Sequence, residues 1–252
     1  MLPPGVEVNI RLKMKTTKRA ALVSFALIAI AALGLTGSAF AGTTYSNVQK
    51  SKWTSCTACA GTNGSGPGGT ISQTLYIKSP SLTGAASQYY LAGYKAYSDA
   101  LWWKQLGANS SVANFKYDLY FYIKNPTASQ ALEFDVNQSL GGKKYIFGTE
   151  CSIKSTGTWH VWSSSAKWQN TGIPCHAPTA YKWHHLTEQF QRVNGHVKFV
   201  SITLDGHTSY VNRSFYPQGS SAKELNVAFQ MDSNLNHTPY QVWLDKVSLT
   251  AW

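Results

Sequence analysis

Residues 131–138 read Ala-Leu-Glu-Phe-Asp-Val-Asn-Gln, and this stretch decides the fold of the chain. With the two-residue period of a β-strand, one face carries Leu132, Phe134 and Val136. The opposite face carries Glu133, Asp135 and Asn137. Neighbouring carboxylates repel each other unless a nearby group compensates them. The polar face is therefore either a solvated strand surface or a face that binds or hydrolyses a ligand.

Short alternating or β-branched and aromatic runs of this kind continue along the chain, whereas helix signals are scarce after residue 41. Gly, Asn, Ser and Pro separate the runs, as turns require. About eleven strands at this spacing predict an all-β sandwich or barrel in a single domain over residues 70–252. The predicted strands are 71–76, 100–106, 116–124, 130–137, 143–150, 157–163, 184–192, 196–204, 207–212, 224–231 and 241–250.

Two dipeptides predict hairpins. Asn194-Gly195 and Asp205-Gly206 each stand between two strand runs, which is the strongest short-range hairpin signal. Together they predict a three-stranded meander from His184 to Asn212.

Residues 1–41 resemble a secretory signal peptide that is removed from the mature protein. A basic segment is followed by an apolar run from Ala20 to Leu35 and by Ala39-Phe40-Ala41, an A-x-A cleavage site. Met14 opens a complete signal by itself, so residues 1–13 are interpreted as an overlong start. We expect export to the cell envelope or the medium, with no membrane span after processing and with residues 42–69 as a Cys- and Gly-rich segment before the sandwich.

The chain is basic, with 22 Lys and Arg against 11 Asp and Glu. Residues 1–41 hold five of the basic residues and one acidic residue, which leaves 17 against 10 and a net charge of +7 in the rest. The lysines are scattered, whereas nucleic-acid binding calls for a basic stripe or patch. We therefore do not expect a nucleic-acid partner.

Four cysteines lie after the predicted signal, as suits an oxidising compartment. Of the three pairings that four cysteines allow, we favour Cys56–Cys59 and Cys151–Cys175. A redox Cys-x-x-Cys is disfavoured because a glycine-rich run follows it over residues 61–69. A zinc site formed by Cys59, Cys151, Cys175 and His176 lacks a recognised spacing.

Three motifs, in this order, resemble the concanavalin-A-like lectin/glucanase superfamily. They are Leu132-Glu133-Phe134-Asp135, then Trp183-His184-His185 followed by the two hairpin turns, and finally the closing strand 242–249. The resemblance covers residues 70–252 and implies an antiparallel β-sandwich of the jelly-roll type. The same fold carries lectins, hydrolases and lyases, so it does not by itself decide the activity.

The resemblance also raises a catalytic question. In the retaining glucanases of this superfamily, the strand motif E-x-D-x-E, or E-x-D-x-x-E with a bulge, supplies a nucleophile, a helper and an acid/base. Glu133 and Asp135 match the first two positions, whereas the third is Asn137 or, with a bulge, Gln138. An amide cannot deliver a proton as an acid. Hydrolysis would therefore need a carboxyl from elsewhere, and the candidates are Glu150, Glu188 and Asp118.

Aromatic residues supply the other half of a sugar site, because sugar rings stack on aromatic faces while polar groups bind their hydroxyls. Trp102 and Trp103 must point to opposite faces of a strand, and Trp159 and Trp162 also differ in face. The preferred interpretation is an exported lectin-like protein that binds a polysaccharide or another glycan, rather than an enzyme. Its predicted ligand-binding residues are Glu133, Asp135, Asn137, Gln138, Trp102, Trp103, Trp159 and Trp162.

Other interpretations remain open. One is a β-glucanase-like hydrolase with Glu133 as nucleophile, and another is an envelope protein whose sandwich makes protein contacts. A lyase acting through His160, His176, His184 or His185 is less favoured. No cofactor is expected, although a structural calcium ion is an option because Asp205, Asp232, Asn234, Asn236 and Asp245 provide oxygen donors.

Overall fold

A computed structural model describes residues 42–57 and 69–252. The described residues form sixteen β-strands and two short 3₁₀ turns, Val48–Lys50 and Pro126–Ala128. The strands are β1 Thr43–Tyr45, β2 Thr54–Cys56, β3 Gly69–Ile77, β4 Ala86–Gly93, β5 Asp99–Gln105, β6 Asn114–Ile123, β7 Ser129–Leu140, β8 Lys143–Ser152, β9 Thr158–Ser163, β10 Lys167–Pro174, β11 Trp183–Val193, β12 His196–Leu204, β13 His207–Phe215, β14 Gln218–Gly219, β15 Glu224–Ser233 and β16 Tyr240–Ala251.

The strands form two antiparallel sheets packed as a sandwich. The front sheet has the order β10-β9-β8-β7-β15-β5-β2, with β14 paired to β8. The back sheet has the order β13-β12-β11-β6-β16-β4-β3, with β1 paired to β16. β7 lies at the centre of the front sheet, between β8 and β15. The predicted all-β antiparallel sandwich is therefore confirmed.

All eleven predicted strands are present, with ends shifted by a few residues. Sequence analysis missed the short strands β1, β2 and β14, and also β4 and β10. β10 is an edge strand with mostly exposed or half-buried residues, so it lacks the apolar alternation that marks a strand. In β4 the pair Tyr89-Tyr90 conceals the alternation, because Tyr89 is buried while Tyr90 is only half-buried.

The core lies between the two sheets. Leu132, Phe134 and Val136 of β7 are 1%, 0% and 0% exposed, so the face predicted to be apolar is the core face. Phe134 packs against Phe121 of the back sheet with ring centroids 5.5 Å apart. Trp102 of β5 joins the same interior and packs edge-to-face on Tyr89 at 5.2 Å.

Both predicted hairpins are confirmed. β11 pairs with β12 and β12 pairs with β13, which forms the meander. Asn194 and Gly195 have φ values of 50° and 74°, and Asp205 and Gly206 have 49° and 86°. A positive φ at both central residues is what the favoured two-residue hairpin turn requires, and Asn, Asp and Gly tolerate it best.

The Cys151–Cys175 disulfide is also present, with the two Cα atoms 5.7 Å apart. Other predictions lie wholly or partly outside the described residues: the signal peptide over residues 1–41, the glycine-rich run 61–68, and Cys59 of the other predicted disulfide. In the part of the chain that the structure describes, no helix is both long and apolar enough to span a membrane.

Candidate functional site

A groove of about 510 Å³ crosses the outer face of the front sheet. β7 forms its floor because the odd-numbered residues of that strand point away from the core. The groove is lined by Leu101, Trp103, Glu133, Asp135, Asn137, Lys144, Ile146, Gly148, Trp162, Trp168, Gln218, Glu224, Asn226, Ala228 and Gln230. The polar face predicted for residues 131–138 therefore lines a groove rather than a flat surface.

Asp135 stands between two small residues at the centre of the groove. In the strand register it is opposite Gly148 of β8 on one side and Ala228 of β15 on the other. The absence of bulk at both neighbours leaves Asp135 at the bottom of a depression. A Cβ atom added to Gly148 would lie only 3.2 Å from the Asp135 Oδ1 atom and 3.2 Å from the Trp162 Cβ atom.

Tryptophans stand on both sides of this depression. Trp103 of β5 is opposite Ala228, on the far side from Asp135. On the other side, Trp162 of β9 and Trp168 of β10 are paired across their strands, and their rings meet edge-to-face with centroids 5.2 Å apart. The groove thus has aromatic walls on either side of a carboxyl floor.

Two polar atoms in this part of the groove are buried without a partner. Among the described residues, neither the Asp135 Oδ1 atom nor the Trp162 Nε1 atom makes a hydrogen bond. Buried polar atoms normally have partners, since an unpaired one costs about 1–3 kcal/mol. This part of the groove therefore contains one unsatisfied acceptor and one unsatisfied donor.

A row of acidic residues lies beside Asp135. Glu133 of β7 is directly opposite Glu150 of β8, and the two are 7% and 9% exposed. On its other side Glu133 is opposite Gln230, whose Nε2 atom donates to the Glu133 Oε1 atom and, over 3.0 Å, to the Asp232 Oδ1 atom. Directly opposite residues in antiparallel strands have Cβ atoms about 4.5–5.5 Å apart, so the two glutamates are true neighbours.

Burial shifts the ionisation of these carboxyls. Desolvation, followed by repulsion from Asp232, Asp135 and Glu150, raises the pKa of Glu133 well above its usual range, and a hydrogen bond to Asp232 acts in the same direction. Burial likewise raises the pKa of Asp232 well above normal. Burial also raises the pKa values of Asp135 and Glu150, each to about 7. Carboxyls with such pKa values can either hold or accept a proton near neutral pH.

His160 of β9 extends this row, since it is opposite Glu150. Its Nδ1 atom lies 3.7 Å from the Glu150 Oε1 atom, and its Nε2 atom is 2.9 Å from the Thr156 hydroxyl. Burial lowers the pKa of His160, which favours the neutral ring.

The other end of the groove is held by hydrogen bonds between side chains. Asn137 donates from Nδ2 to the Asn226 Oδ1 atom over 3.1 Å. Lys144 pairs with Glu224 at 3.5 Å, and Glu224 also accepts hydrogen bonds from Gln105 and Ser139.

Three of the residues predicted to bind ligand do not lie in the groove. Trp102 and Trp159 are 1% and 2% exposed and belong to the core. Side chains alternate between the two faces of a strand, so Trp102 points away from the face that carries Trp103, and Trp159 away from the face that carries Trp162. Gln138 is 0% exposed on the core side of β7, where it donates to the backbone oxygens of Asn109 and Val112. The β7–β8 register runs without a bulge from Leu132 to Leu140. Of the two amides considered at the acid/base position, Asn137 therefore faces the groove and Gln138 faces the core.

Sequence reasoning missed the contribution of β15. Residues 224–233 alternate in the same way as residues 131–138, with Leu225, Val227, Phe229 and Met231 in the core. The residues that this alternation turns toward the groove side are Glu224, Asn226, Ala228, Gln230 and Asp232. The alternation in residues 224–233 is visible in the sequence. The position of this strand beside β7, however, depends on pairing between segments that are far apart along the chain.

Among the described residues, no group of three or more His, Cys, Asp and Glu side chains is arranged so that it could hold a metal ion. Two of the residues considered as calcium ligands, Asp245 and Asp205, accept hydrogen bonds from protein groups instead. Asp245 accepts hydrogen bonds from Ser81 and Thr83, and Asp205 accepts one from the His185 backbone over 2.9 Å. His184 Nδ1 lies 2.7 Å from Asp205 Oδ2, consistent with a structural role for this histidine.

Comparison with solved structures identifies the architecture. An endo-β-1,4-glucuronan lyase from the fungus Trichoderma reesei superposes with a TM-score of 0.50 and 12% identity, over 82% of this chain and 94% of the lyase. The fold is that of the concanavalin-A-like lectins and glucanases. This fold is shared by lectins and carbohydrate-active enzymes.

Further similar structures include the cellulose-induced protein Cip1, with a TM-score of 0.49 and 13% identity over 81% of this chain and 96% of Cip1. Arcelin-5, a lectin-like defence protein from Phaseolus vulgaris, has a TM-score of 0.46 and 10% identity over 84% and 98% of the two chains. A sialidase also matches, and there this chain spans only 18% of the other protein. No protein-family model and no curated protein matches the sequence.

Proposed function

We propose that this protein binds a polysaccharide chain in the groove of the front sheet. The observation that carries the proposal is the arrangement of Asp135 between aromatic walls, with Trp103 on one side and Trp162 and Trp168 on the other. Tryptophan faces stack on the C–H faces of sugar rings, and buried polar atoms bind their hydroxyls. The unpaired Asp135 Oδ1 and Trp162 Nε1 atoms offer one acceptor and one donor for this purpose.

The dimensions of the site support the same ligand class. A volume of about 510 Å³ lies within the range of small-ligand sites. The Cys151–Cys175 disulfide agrees with the proposed location of the protein outside the cytoplasm, in the envelope or the medium. Because the carboxyls line a groove instead of a flat surface, the alternative of a purely protein-binding envelope component has less support.

Affinity electrophoresis in gels that contain soluble polysaccharides tests this proposal. At least one polysaccharide is expected to retard the wild-type protein, and Trp103→Ala is expected to reduce the retardation. Tyr210→Ala is the matched control, since Tyr210 is an aromatic residue of the back sheet that is 72% exposed. Absence of retardation by any glycan, including those of a glycan array, would contradict the proposal.

Hydrolysis of the bound glycan is a second candidate function, and the Glu133–Glu150 pair favours it. The glucanase-like strand lacks a third carboxyl because Asn137 stands at that position, but β8 places Glu150 opposite Glu133. Retaining glycosidases work with two carboxyls about 5–5.5 Å apart, and opposite positions on antiparallel strands suit this spacing. In such an enzyme one glutamate would attack the anomeric carbon while the other protonates the leaving oxygen.

Release of reducing ends from β-glucans would establish this activity. Glu133→Gln and Glu150→Gln would each be expected to lower the rate by at least about 100-fold, which is the lower end of the contribution of an acid or base. Asp118→Asn on the back sheet is the control. If the wild-type protein binds a glycan and releases no reducing ends from it, the protein is a binding protein alone.

A further inference from the structure

The charge of the groove differs from that of the whole chain. The sequence carries a formal net charge of +11, which by itself would suggest an acidic polymer as ligand. The groove has the opposite character, because Glu133 and Asp135 line its floor. Glu150 and Asp232 lie next to Glu133, the first directly opposite it on β8 and the second linked to it through Gln230.

One cation offsets part of this floor, because the charge of Lys144 lowers the pKa of Asp135 against the larger effect of burial. Lys144 is paired with Glu224 at 3.5 Å. The Lys167 side chain is exposed, and its Nζ atom lies 5.5 Å from the centroid of the Trp162 ring. Burial lowers the pKa of His160 and so favours its uncharged form. Among the residues that line the groove, no arginine is present to form a bidentate pair with a carboxylate ligand.

The acidic floor is already under mutual repulsion without a ligand. Asp232, Asp135 and Glu150 each oppose ionisation of Glu133, and Glu150 also opposes ionisation of Asp135 and of Asp232. Above about pH 7, where Asp135 and Glu150 are ionised, a sugar carboxylate entering this place would add another negative charge beside them. Like charges at close range in a partly desolvated site are strongly unfavourable.

We propose that the groove selects glycans without carboxylate or sulfate groups, and that it rejects uronate-containing polysaccharides in spite of the basic net charge. This inference rests on the proposed function. Sugar hydroxyls can donate to the Asp135 Oδ1 atom and accept from the Trp162 Nε1 atom, whereas a uronate would face carboxyls. An ammonium-bearing sugar is compatible with the same floor.

The experiment separates groove binding from adhesion to the basic surface. Affinity electrophoresis in 0.5 M NaCl at about pH 8.5, above the pKa values of about 7 of Asp135 and Glu150, compares three neutral polysaccharides, namely hydroxyethyl cellulose, laminarin and xyloglucan, with alginate and polygalacturonate. At this salt concentration adhesion between exposed charges is screened within a few ångströms. We expect a neutral polysaccharide to retard the protein at least tenfold more strongly than either acidic one, with Trp103→Ala losing that retardation. Tenfold corresponds to about 1.4 kcal/mol.

The outcomes are distinguishable. If alginate or polygalacturonate binds in 0.5 M NaCl and Trp103→Ala abolishes that binding, the groove accepts acidic glycans and the inference is wrong, while the proposed function stands. If none of these polymers and no glycan of the array binds, the proposed function itself fails, and the inference with it.

A pair of charge variants provides an independent readout. Above pH 7, Asp135→Asn removes one negative charge from the floor with little change of shape. It should raise the retardation by polygalacturonate, relative to that by the neutral polymer, at least tenfold. Asp118→Asn, on the back sheet, should leave the ratio unchanged. Equal ratios in wild type and Asp135→Asn would overturn the role given to the acidic floor, and the far-ultraviolet circular dichroism of each variant checks that it is folded.

Discussion

Glu133 and Glu150 lie directly opposite each other on β7 and β8, both almost fully buried beneath the groove. This relationship gives the front sheet a carboxyl pair although the strand motif ends in the amide of Asn137. The pair belongs to a larger set, because Gln230 donates to both Glu133 and Asp232. Burial of these carboxyls makes the floor of the groove a place where protons are held near neutral pH.

Filling the space above Gly148 is expected to weaken glycan binding. In Gly148→Ala the new methyl group would lie 3.2 Å from both the Asp135 Oδ1 atom and the Trp162 Cβ atom, so each must move by a few tenths of an ångström. We expect a loss of affinity of several-fold while the fold is retained. Gly219→Ala is the control, since a methyl group there would meet no atom within 4 Å. Equal binding by the two variants in affinity electrophoresis would argue that the ligand lies elsewhere.

The stability of the protein is expected to fall as the pH rises from about 4.5 to about 7. Burial raises the folded-state pKa values of Asp135, Glu150 and Asp99 to about 7. In this interval the folded state holds protons that the unfolded state has released, so the free energy of unfolding decreases with pH. Each such carboxyl contributes a slope of up to about 1.4 kcal/mol per pH unit. The contribution of these three carboxyls to the free energy of unfolding is complete below pH 4 and is lost as the pH passes about 7.

Other groups make the free energy of unfolding increase with pH, and they determine its pH dependence outside this interval. Hydrogen bonds lower the pKa of Asp245 against the effect of burial, so its contribution is lost as the pH falls below its normal value near 4. The lowered pKa of His160 likewise favours stability at higher pH. We therefore expect maximal stability at mildly acidic pH in chemical denaturation experiments. Asp135→Asn should flatten the slope between pH 4.5 and 7, and an unchanged slope would contradict the assignment.

Loss of the Cys151–Cys175 disulfide is expected to destabilise the fold by about 3 kcal/mol. The bond closes a segment with a sequence separation of 24, and in the chain-entropy estimate a loop of this length restricts the unfolded state by about that amount. The Cys151→Ala/Cys175→Ala double variant is preferable to reduction, because it leaves Cys56 and Cys59 unchanged. A shift of the urea midpoint measures the effect, and a midpoint equal to that of wild type would contradict it.

Asp245 is expected to be one of the most sensitive positions outside the groove. It is 0% exposed, and its two oxygens accept six hydrogen bonds, from Gln49, Ser81, Thr83 and backbone N–H groups of residues 82, 83 and 246. Asp245→Ala would leave several buried donors unpaired and should cost about 3 kcal/mol or more of unfolding free energy. Urea denaturation measures this loss, and Asp118→Ala, at a half-buried site on β6, is expected to cost less. Equal losses would show that the hydrogen-bonded network contributes little.

The alternation of residues 131–138 was sufficient to predict which side chains of β7 face the core. It was sufficient because side-chain direction in a strand is a local property with period two, and burying Leu132, Phe134 and Val136 leaves only one orientation. The Asn-Gly and Asp-Gly turns were predictable for the same reason, since their backbone angles depend on two residues.

The choice between neighbouring tryptophans required the tertiary structure. Sequence placed Trp102 and Trp103 on opposite faces of β5, but only the packing of β5 beside β15 makes Trp103 a wall of the groove and Trp102 part of the core. The orientation of Gln138 also required the tertiary structure. A bulge in β7 would have turned Gln138 toward the groove, and only the complete β7–β8 register shows that there is none.

By itself, the sequence of residues 131–138 determined a strand with a core face and a carboxyl-bearing face. The tertiary structure decided what surrounds those carboxyls: Glu150 on one side of Glu133, Gln230 on the other, and the small residues Gly148 and Ala228 beside Asp135. Glu150 was one of three carboxyls that the sequence offered as a partner. The physical reason is that alternation along a strand is local, whereas lateral neighbours are set by hydrogen-bonded pairing between segments as much as about 100 residues apart.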